Sequence, residues 1–260
     1  MKKSNSNFFV YNPSTGLGDC ISCFNTQNPI WSPSPHFNIL KKYSSLLTLD
    51  SPAGPSLGVH ELVEIDFGGE HLFNRVRIAT GLEPLKEPRA ILDKIQYYPI
   101  KNRVAFSFDV GAAVQFQTLL HPRPRQLYAE HRTTIQEFID KNCDRYEFVE
   151  IGTRSFNFNN TIVQTGVGLD QTIEILSKCQ YYLGMHSGIM HLATAIGLKS
   201  MIIINFPSIT QLQQQPAVFN PKDQMEWEKT WLYPQHRYLH EDETDNEYAI
   251  NIDNLESLFI

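Results

Sequence analysis

The sequence predicts an α/β fold built on parallel strands with helices packed on both faces. One observation is the stretch from Tyr181 through Gly197 into the apolar run Met201–Ile204, which reads as strand, tight turn, helix and strand. Ile189, Leu192, Ala193 and Ile196 recur at i, i+3, i+4 and i+7, giving one apolar helical stripe, and Gly197 stands where a left-handed C-cap belongs. Four consecutive apolar residues at Met201–Ile204 suit a strand buried on both faces, as in a parallel sheet. A second observation is the regular alternation of β-type and helical patterns along the chain.

Within the first stretch, Ser187 is the natural N-cap. A helix start leaves unpaired N–H groups and a partial positive charge, and Gly188 removes the side chain that would keep a ligand from them. The turn is a candidate phosphate cradle, since ligands of such sheets bind beyond the strands' carboxyl ends. The same residues also fit an ordinary βαβ turn with a serine cap and no ligand. His191 falls on the first helical turn, where an imidazole can donate to a phosphate oxygen.

Taken in order, Phe8–Tyr11 is a short β-type run, and Asn12–Asp19 is a glycine-rich turn entering a helix from Asp19 to about Phe24. Gly16 and Gly18 let the backbone approach a ligand closely, and Asp19 is either an N-cap or a carboxylate facing a cleft. Residues 28–57 are rich in Pro and Ser and predict long loops around small strands. Glu70–Leu82 reads as a helix with Leu72, Val76 and Ala79 on one face and Gly81 stopping it. The Pro-marked segment Glu83–Pro99 is the candidate hinge, dividing the chain into domains 1–100 and 101–260.

The second domain opens with the β-type run Arg103–Phe108 and a turn at Asp109–Ala113. His121-Pro122-Arg123-Pro124-Arg125 then precedes a helix from Gln126 to about Lys141. Arg123 and Arg125 suit bidentate phosphate binding, or belong to a solvated loop. Tyr146–Ile151 is the next strand, and Asp170 caps a helix in which Leu169, Ile173 and Leu176 share a face. Beyond Phe206-Pro207 the pattern gives way to a Gln-rich stretch with Trp227 and Trp231, and Ile252, Leu255 and Phe259 suggest a short closing helix.

Composition narrows the function. A net charge of -6 and a pI near 5.8 argue against a nucleic-acid binder that works by neutralising phosphates, so anionic ligands must be held locally. No stretch approaches the roughly 20 apolar residues of a membrane span, which leaves only peripheral membrane contact open. The polar Ser4–Asn7 after Met1-Lys2-Lys3 does not make a signal peptide, so a cytoplasmic protein is expected. Cys20, Cys23, Cys143 and Cys179 fit reduced thiols; Cys20-x-x-Cys23 lies in a helix without a second pair, which disfavours metal or redox use. His236 and His240, four apart beside Glu241 and Asp242, would suit a metal on a helix, but Pro234 and the acidic tail favour a loop.

Three stretches in this order carry a resemblance. Gly16-Leu17-Gly18-Asp19, His71-Leu72-Phe73-Asn74-Arg75 with Gly81-Leu82, and Leu183 through Ala193 together resemble the heptosyltransferase family that builds the lipopolysaccharide inner core. The resemblance implies a GT-B-like architecture: two Rossmann-like domains with parallel sheets, an acceptor-side N-terminal domain, a C-terminal domain for the nucleotide-sugar, and the active site in the cleft between. It implies that Ser187, Gly188, Ile189 and His191 hold the donor diphosphate and that Asp19, in the loop with Gly16 and Gly18, is the general base. His186 stands where the family usually has an aspartate, and Arg123 and Arg125 take the place of its lysine without a one-to-one match. The N-terminal domain, about a hundred residues, is shortened for this architecture.

The resulting expectation is a metal-independent, inverting glycosyltransferase of lipopolysaccharide or other surface glycan. It moves a heptose or related sugar from a nucleotide-sugar to a glycan or other hydroxyl acceptor, without cofactor. Asp19 is the base, Ser107 and Gly111 lie near the nucleotide, His186 joins the donor contacts, and Arg123 or Arg125 offsets charge. The aromatic C-terminal segment closes the cleft or builds a homo-oligomer interface. Two other readings stand beside it: a non-catalytic nucleotide-sugar-binding or scaffolding protein, and a GT-B-type sugar-nucleotide epimerase, which needs further acid–base carboxylates.

Overall fold

The computed structural model describes residues 8–13, 16–52, 54–59, 69–108, 129–204, 229–240, 242–244, 247–249 and 252–260. By its internal contacts the chain groups into two compact units, Met1–Gln96 with Ser208–Pro234, and Tyr97–Pro207 with Gln235–Ile260.

The first unit is organised on a small parallel sheet. β1 (Phe9–Tyr11) lies between β2 (Ile30–Trp31) and β3 (Ser56–Gly58), with Val10 opposite both Ile30 and Leu57. Val10 and Ile30 are fully buried, which fixes the register because a one-residue slip would turn them outward. α1 (Leu17–Ser22) follows β1, and α2 (Phe37–Leu40) runs into a 3-10 turn at Lys41–Tyr43. α1 begins earlier than the sequence suggests: Gly16 is the N-cap, its carbonyl accepting from the Cys20 N–H at 3.0 Å. Asp19 is therefore the third helical residue and does not cap.

α3 (Leu72–Ala79) is shorter at both ends than the expected helix over 70–82. His71 is its N-cap, with Nδ1 accepting from the Phe73 N–H at 3.2 Å. Gly81 ends it at φ 84°, and the Leu82 N–H reaches back to the Arg77 carbonyl at 2.8 Å. The buried Arg75 donates to the Glu70 carbonyl at 2.8 Å and to Thr230 Oγ1 at 3.1 Å, while the His71 ring lies 4.4 Å from that of Tyr233. Residues 229–234 thus return to pack on α3.

The second unit holds a six-stranded, wholly parallel sheet. β4 (Arg103–Ser107), β5 (Glu147–Gly152), β6 (Thr161–Thr165), β7 (Tyr181–Met185), β8 (Lys199–Ile204) and β9 (Arg237–His240) lie in the order β6-β5-β4-β7-β8-β9. Counted from β4, this is 3-2-1-4-5-6, the doubly wound order of a dinucleotide-type fold. The helices are α4 (Ala129–Asn142), α5 (Leu169–Ser177), α6 (Gly188–Ile196) and α7 (Ile252–Glu256), the last continued by a 3-10 turn at Ser257–Phe259; β10 (Asp242–Thr244) and β11 (Glu247–Ala249) form a separate antiparallel pair.

Strand alternation sorts the side chains. Val104, Phe106, Leu183, Met201 and Ile203 share a core with Ile135, Phe138 and Ile139 of α4 and with Leu255 and Leu258. The alternate residues Ala105, Ser107, Tyr182, Gly184 and Ile202 point to the other face. On α5 the N-cap is Gly168 rather than Asp170: the Gly168 carbonyl already accepts from the Thr172 N–H at 2.9 Å, so the helix starts before Asp170. The closing helix sits where Ile252, Leu255 and Phe259 place it, with the Phe259 ring stacked on Phe138 at 5.6 Å. Among the described residues, no helix is long and apolar enough to cross a membrane.

Candidate functional site

The strand order of the second unit reverses between β4 and β7, and their carboxyl ends part to opposite sides, which opens the crevice where such sheets take ligands. Ser107 is the last residue of β4 and pairs with Gly184 of β7. After Met185 the chain turns through His186 and Ser187 into α6, whose N-cap is Ser187 in extended conformation. Ser187 makes no side-chain capping bond, so the first N–H groups of α6 are left for another partner. Gly197, at φ 94°, closes the helix in the left-handed conformation.

Three buried hydroxyls belong to these strands and this turn, Ser107 Oγ, Tyr182 Oη and Ser187 Oγ; none makes a well-formed hydrogen bond, and the Tyr182 hydroxyl lies against the Ser187 side chain. Gly184 makes the arrangement feasible. A Cβ there would stand 2.6 Å from the Ser107 carbonyl oxygen and would overlap the Tyr182 hydroxyl. The Tyr182 side chain therefore lies along β7 in the space that Gly184 vacates and brings its hydroxyl to Ser187. Burial, opposed in part by Ser187, pushes the Tyr182 phenol up.

The histidines are arranged in depth. His186 is half-buried in the turn, its ring edge-to-face with His191 at 5.6 Å. His191 is buried on α6, and burial pushes its imidazole down to about 4. Behind it, His236 Nε2 lies 2.6 Å from Thr194 Oγ1. Thr194 donates its one hydroxyl proton to the Met190 carbonyl at 2.8 Å, so it can only accept from His236, which fixes the Nε2–H tautomer. Burial and the neighbouring His191 push His236 down to about 3. Both inner imidazoles are neutral at pH 7, and His191 offers a hydrogen bond rather than a charge.

Ser107, His186, Ser187, Gly188, Ile189 and His191 are thus brought together, although they come from two stretches far apart in sequence. Gly111, Arg123 and Arg125 lie outside the described residues. Asp19 belongs to the first unit, half-buried on α1, with its carbonyl accepting from Asn12 Nδ2 at 3.0 Å and Ser22 Oγ at 2.6 Å; Gly16 is exposed and Gly18 half-buried beside it. His236 directly precedes β9 and His240 is its last residue, so the segment is a strand and not a loop, and at about 3.3 Å per residue their backbone positions lie roughly 13 Å apart. Among the described residues no group of three His, Cys, Asp or Glu side chains is placed to hold a metal ion. Cys20 and Cys23 are buried free thiols, Cys20 pushed up to about 11 by burial.

Sequence reasoning gave no role to Tyr182 or Gly184. The available signal is a glycine two residues after a tyrosine in a buried strand, a spacing that puts both on one face and marks a close approach. The Thr194–His236 bond joins an interior helix position to a residue forty-two positions on, and no local pattern announces it.

No family model matches the chain, and no curated protein matches it. Solved structures do match. A glycosyl transferase family 9 protein from Veillonella parvula DSM 2008 superposes with a TM-score of 0.61 at 10% identity, over 98% of each chain. The Escherichia coli heptosyltransferase WaaC, solved with ADP, gives 0.60 at 9% identity over 96% of each. The iron-containing dodecameric glycosyltransferase TibC of enterotoxigenic E. coli gives 0.51 at 13% identity; 78% of this chain matches, spanning 59% of the TibC chain. At such identities the likeness is one of fold. The chain is an α/β protein with the GT-B-like fold found in heptosyltransferases.

Proposed function

We propose that the chain is an inverting, metal-independent glycosyltransferase that moves a heptose or related sugar from a nucleoside diphosphate donor to a hydroxyl of a glycan in the cytoplasm. The observation that carries this reading is the presence of buried hydroxyls without well-formed hydrogen bonds, on Ser107, Tyr182 and Ser187, beside the open N-terminus of α6 at the strand-order reversal. Such a cluster has donors and no acceptor charge, so its complement is an anion with several oxygens. The fold supports it too: the solved structures of WaaC and TibC include complexes with ADP and with ADP-D-β-D-heptose.

In this reading Ser187, the N–H groups of Gly188 and Ile189, and His191 as a neutral donor hold the diphosphate. Ser107 and Gly111 lie by the nucleotide, His186 joins the donor contacts, and Arg123 or Arg125 offsets the charge that grows on the leaving group. Asp19 takes the proton of the acceptor hydroxyl as its oxygen attacks the anomeric carbon. The bond from that carbon to the diphosphate oxygen breaks with the electron pair, which leaves as nucleoside diphosphate, and the configuration inverts.

The test is thermal stabilisation across a panel of nucleoside diphosphates and nucleotide-sugars, with wild type beside Gly188→Asp. At about 100-fold excess over Kd, binding adds about 2.7 kcal/mol, a rise of about 5–10 °C for a chain of this size. A rise selective for one base and abolished in Gly188→Asp is expected, together with loss of turnover but retained donor binding in Asp19→Asn. No rise with any member of the panel overturns the reading.

A further inference from the structure

We propose that Tyr182 is a positioning residue: its hydroxyl donates to Ser187 Oγ in the liganded protein and so commits the Ser187 proton to an anionic oxygen of the nucleoside diphosphate. The inference rests on the reading of the site given above and adds a residue to it.

The argument starts from the strand. Tyr182 and Gly184 share one face of β7, and the missing Cβ of Gly184 is the space into which the Tyr182 hydroxyl reaches. Tyr182 is fully buried, and its hydroxyl lies within reach of the Ser187 side chain without forming a well-directed hydrogen bond to it. A buried phenol whose bond is poorly directed recovers only part of a desolvation cost of about 1–3 kcal/mol, and a phenylalanine of the same shape would avoid that cost. Ser187 is the partner this hydroxyl faces, and the bond between them would tighten when Ser187 turns its proton to a ligand.

Proton arithmetic sets the direction. Ser187 Oγ has one proton and two lone pairs, and an anionic oxygen only accepts. With a lone pair of Ser187 occupied by the Tyr182 O–H, the Ser187 proton points outward, and the two bonds in series strengthen each other. Ser107 Oγ, also buried and unpartnered, stands on the neighbouring strand where Gly184 faces it. The relay runs from Tyr182 in the interior of the sheet to Ser187 in the cradle, where Ser187 meets the ligand.

The experiment measures affinity for ADP, UDP and GDP by calorimetry in wild type, Tyr182→Phe, Ser187→Ala and the double variant, with thermal melts of each unliganded protein. Tyr182→Phe is expected to bind the preferred nucleotide about five- to tenfold more weakly while melting at the same temperature as wild type or higher. In the Ser187→Ala background the same change is expected to have no effect, because the residue it acts through is gone. Tyr182→Met, which fills similar space without a hydroxyl, repeats the measurement should the phenylalanine variant fold poorly. Undiminished binding in both Tyr182 variants, or losses that add in the double variant, overturns the relay and leaves the nucleotide site standing. Absence of binding by wild type to all three nucleotides overturns both.

Discussion

Gly184→Ala tests whether the site depends on a missing side chain. The new methyl would stand 2.6 Å from the Ser107 carbonyl oxygen and on top of the Tyr182 hydroxyl. Neither neighbour can give way easily. Ser107 belongs to β4, which is paired with β5 on one side and β7 on the other, so its carbonyl can retreat only by opening the ladder at the centre of the sheet. Tyr182 is fully enclosed. Overpacking of this kind costs typically about 1–3 kcal/mol, and with a backbone atom as one partner the upper end is expected. That predicts a melting temperature lower by about 6–12 °C. Adding Tyr182→Phe should restore only a small part of the loss, because it removes the hydroxyl but leaves the ring Cζ and the Ser107 carbonyl oxygen, each 2.6 Å from the new methyl. Urea and thermal unfolding of the four proteins in this cycle would measure it. A Gly184→Ala protein that melts within about 1 °C of wild type would refute the packing argument and with it the account of why Tyr182 reaches the turn.

Two further predictions concern groups that burial perturbs. His191 and His236 are held down at about 4 and about 3, below the ordinary imidazole range, so between there and roughly pH 6.5 the unfolded chain binds protons that the folded chain refuses. Their contribution is complete above that range and is lost as pH falls, with a slope of up to about 1.4 kcal/mol per pH unit for each. Urea midpoints should drop from pH 7 to 5, and His236→Asn should reduce that slope; a flat or rising profile is incompatible with neutral buried histidines. Burial also raises Cys20 to about 11 and Cys179 to about 12 and holds Cys23 well up, whereas Cys143 is half-exposed. Maleimide should therefore modify one thiol per native chain, at Cys143, and all four after unfolding; rapid labelling of the native Cys143→Ser protein would contradict this.

The second unit was legible where its signals are local. The stripe Ile189, Leu192, Ala193 and Ile196, the cap at Ser187 and the stop at Gly197 each follow from side-chain period or backbone freedom within a few residues, and α6 has those bounds. The buried run Met201–Ile204 likewise declares a strand covered on both faces. Helix starts were less legible. At Gly16 and Gly168 the cap is a glycine whose carbonyl alone begins the helix, while the acidic residues that advertise a cap, Asp19 and Asp170, sit inside the first turn. An acid near a helix N-terminus is stabilised by the dipole at any first-turn position, so its presence locates the turn and not the cap.

The site itself shows where local reading ends. Ser187 and Gly188 are conspicuous because a turn between strand and helix concentrates unpaired N–H groups, and that property needs no partner from elsewhere. Ser107 gains meaning only from its pairing with Gly184, which depends on β4 lying beside β7 instead of beside the strand that precedes β7 in sequence. Strand order is decided by the packing of whole helices across a sheet, and no window of sequence contains it. His191 makes the same point in reverse. Its place on the first turn of α6 suggests a phosphate ligand, and the fold encloses that ring against His186 with His236 behind it, so that it is neutral at pH 7. Charge for a leaving diphosphate must then come from groups nearer the surface, and a protein with net charge -6 has little of it to spare from its overall field. That makes donated hydrogen bonds, from Ser187 and the N–H groups of α6, the main means by which this part of the chain would hold an anion.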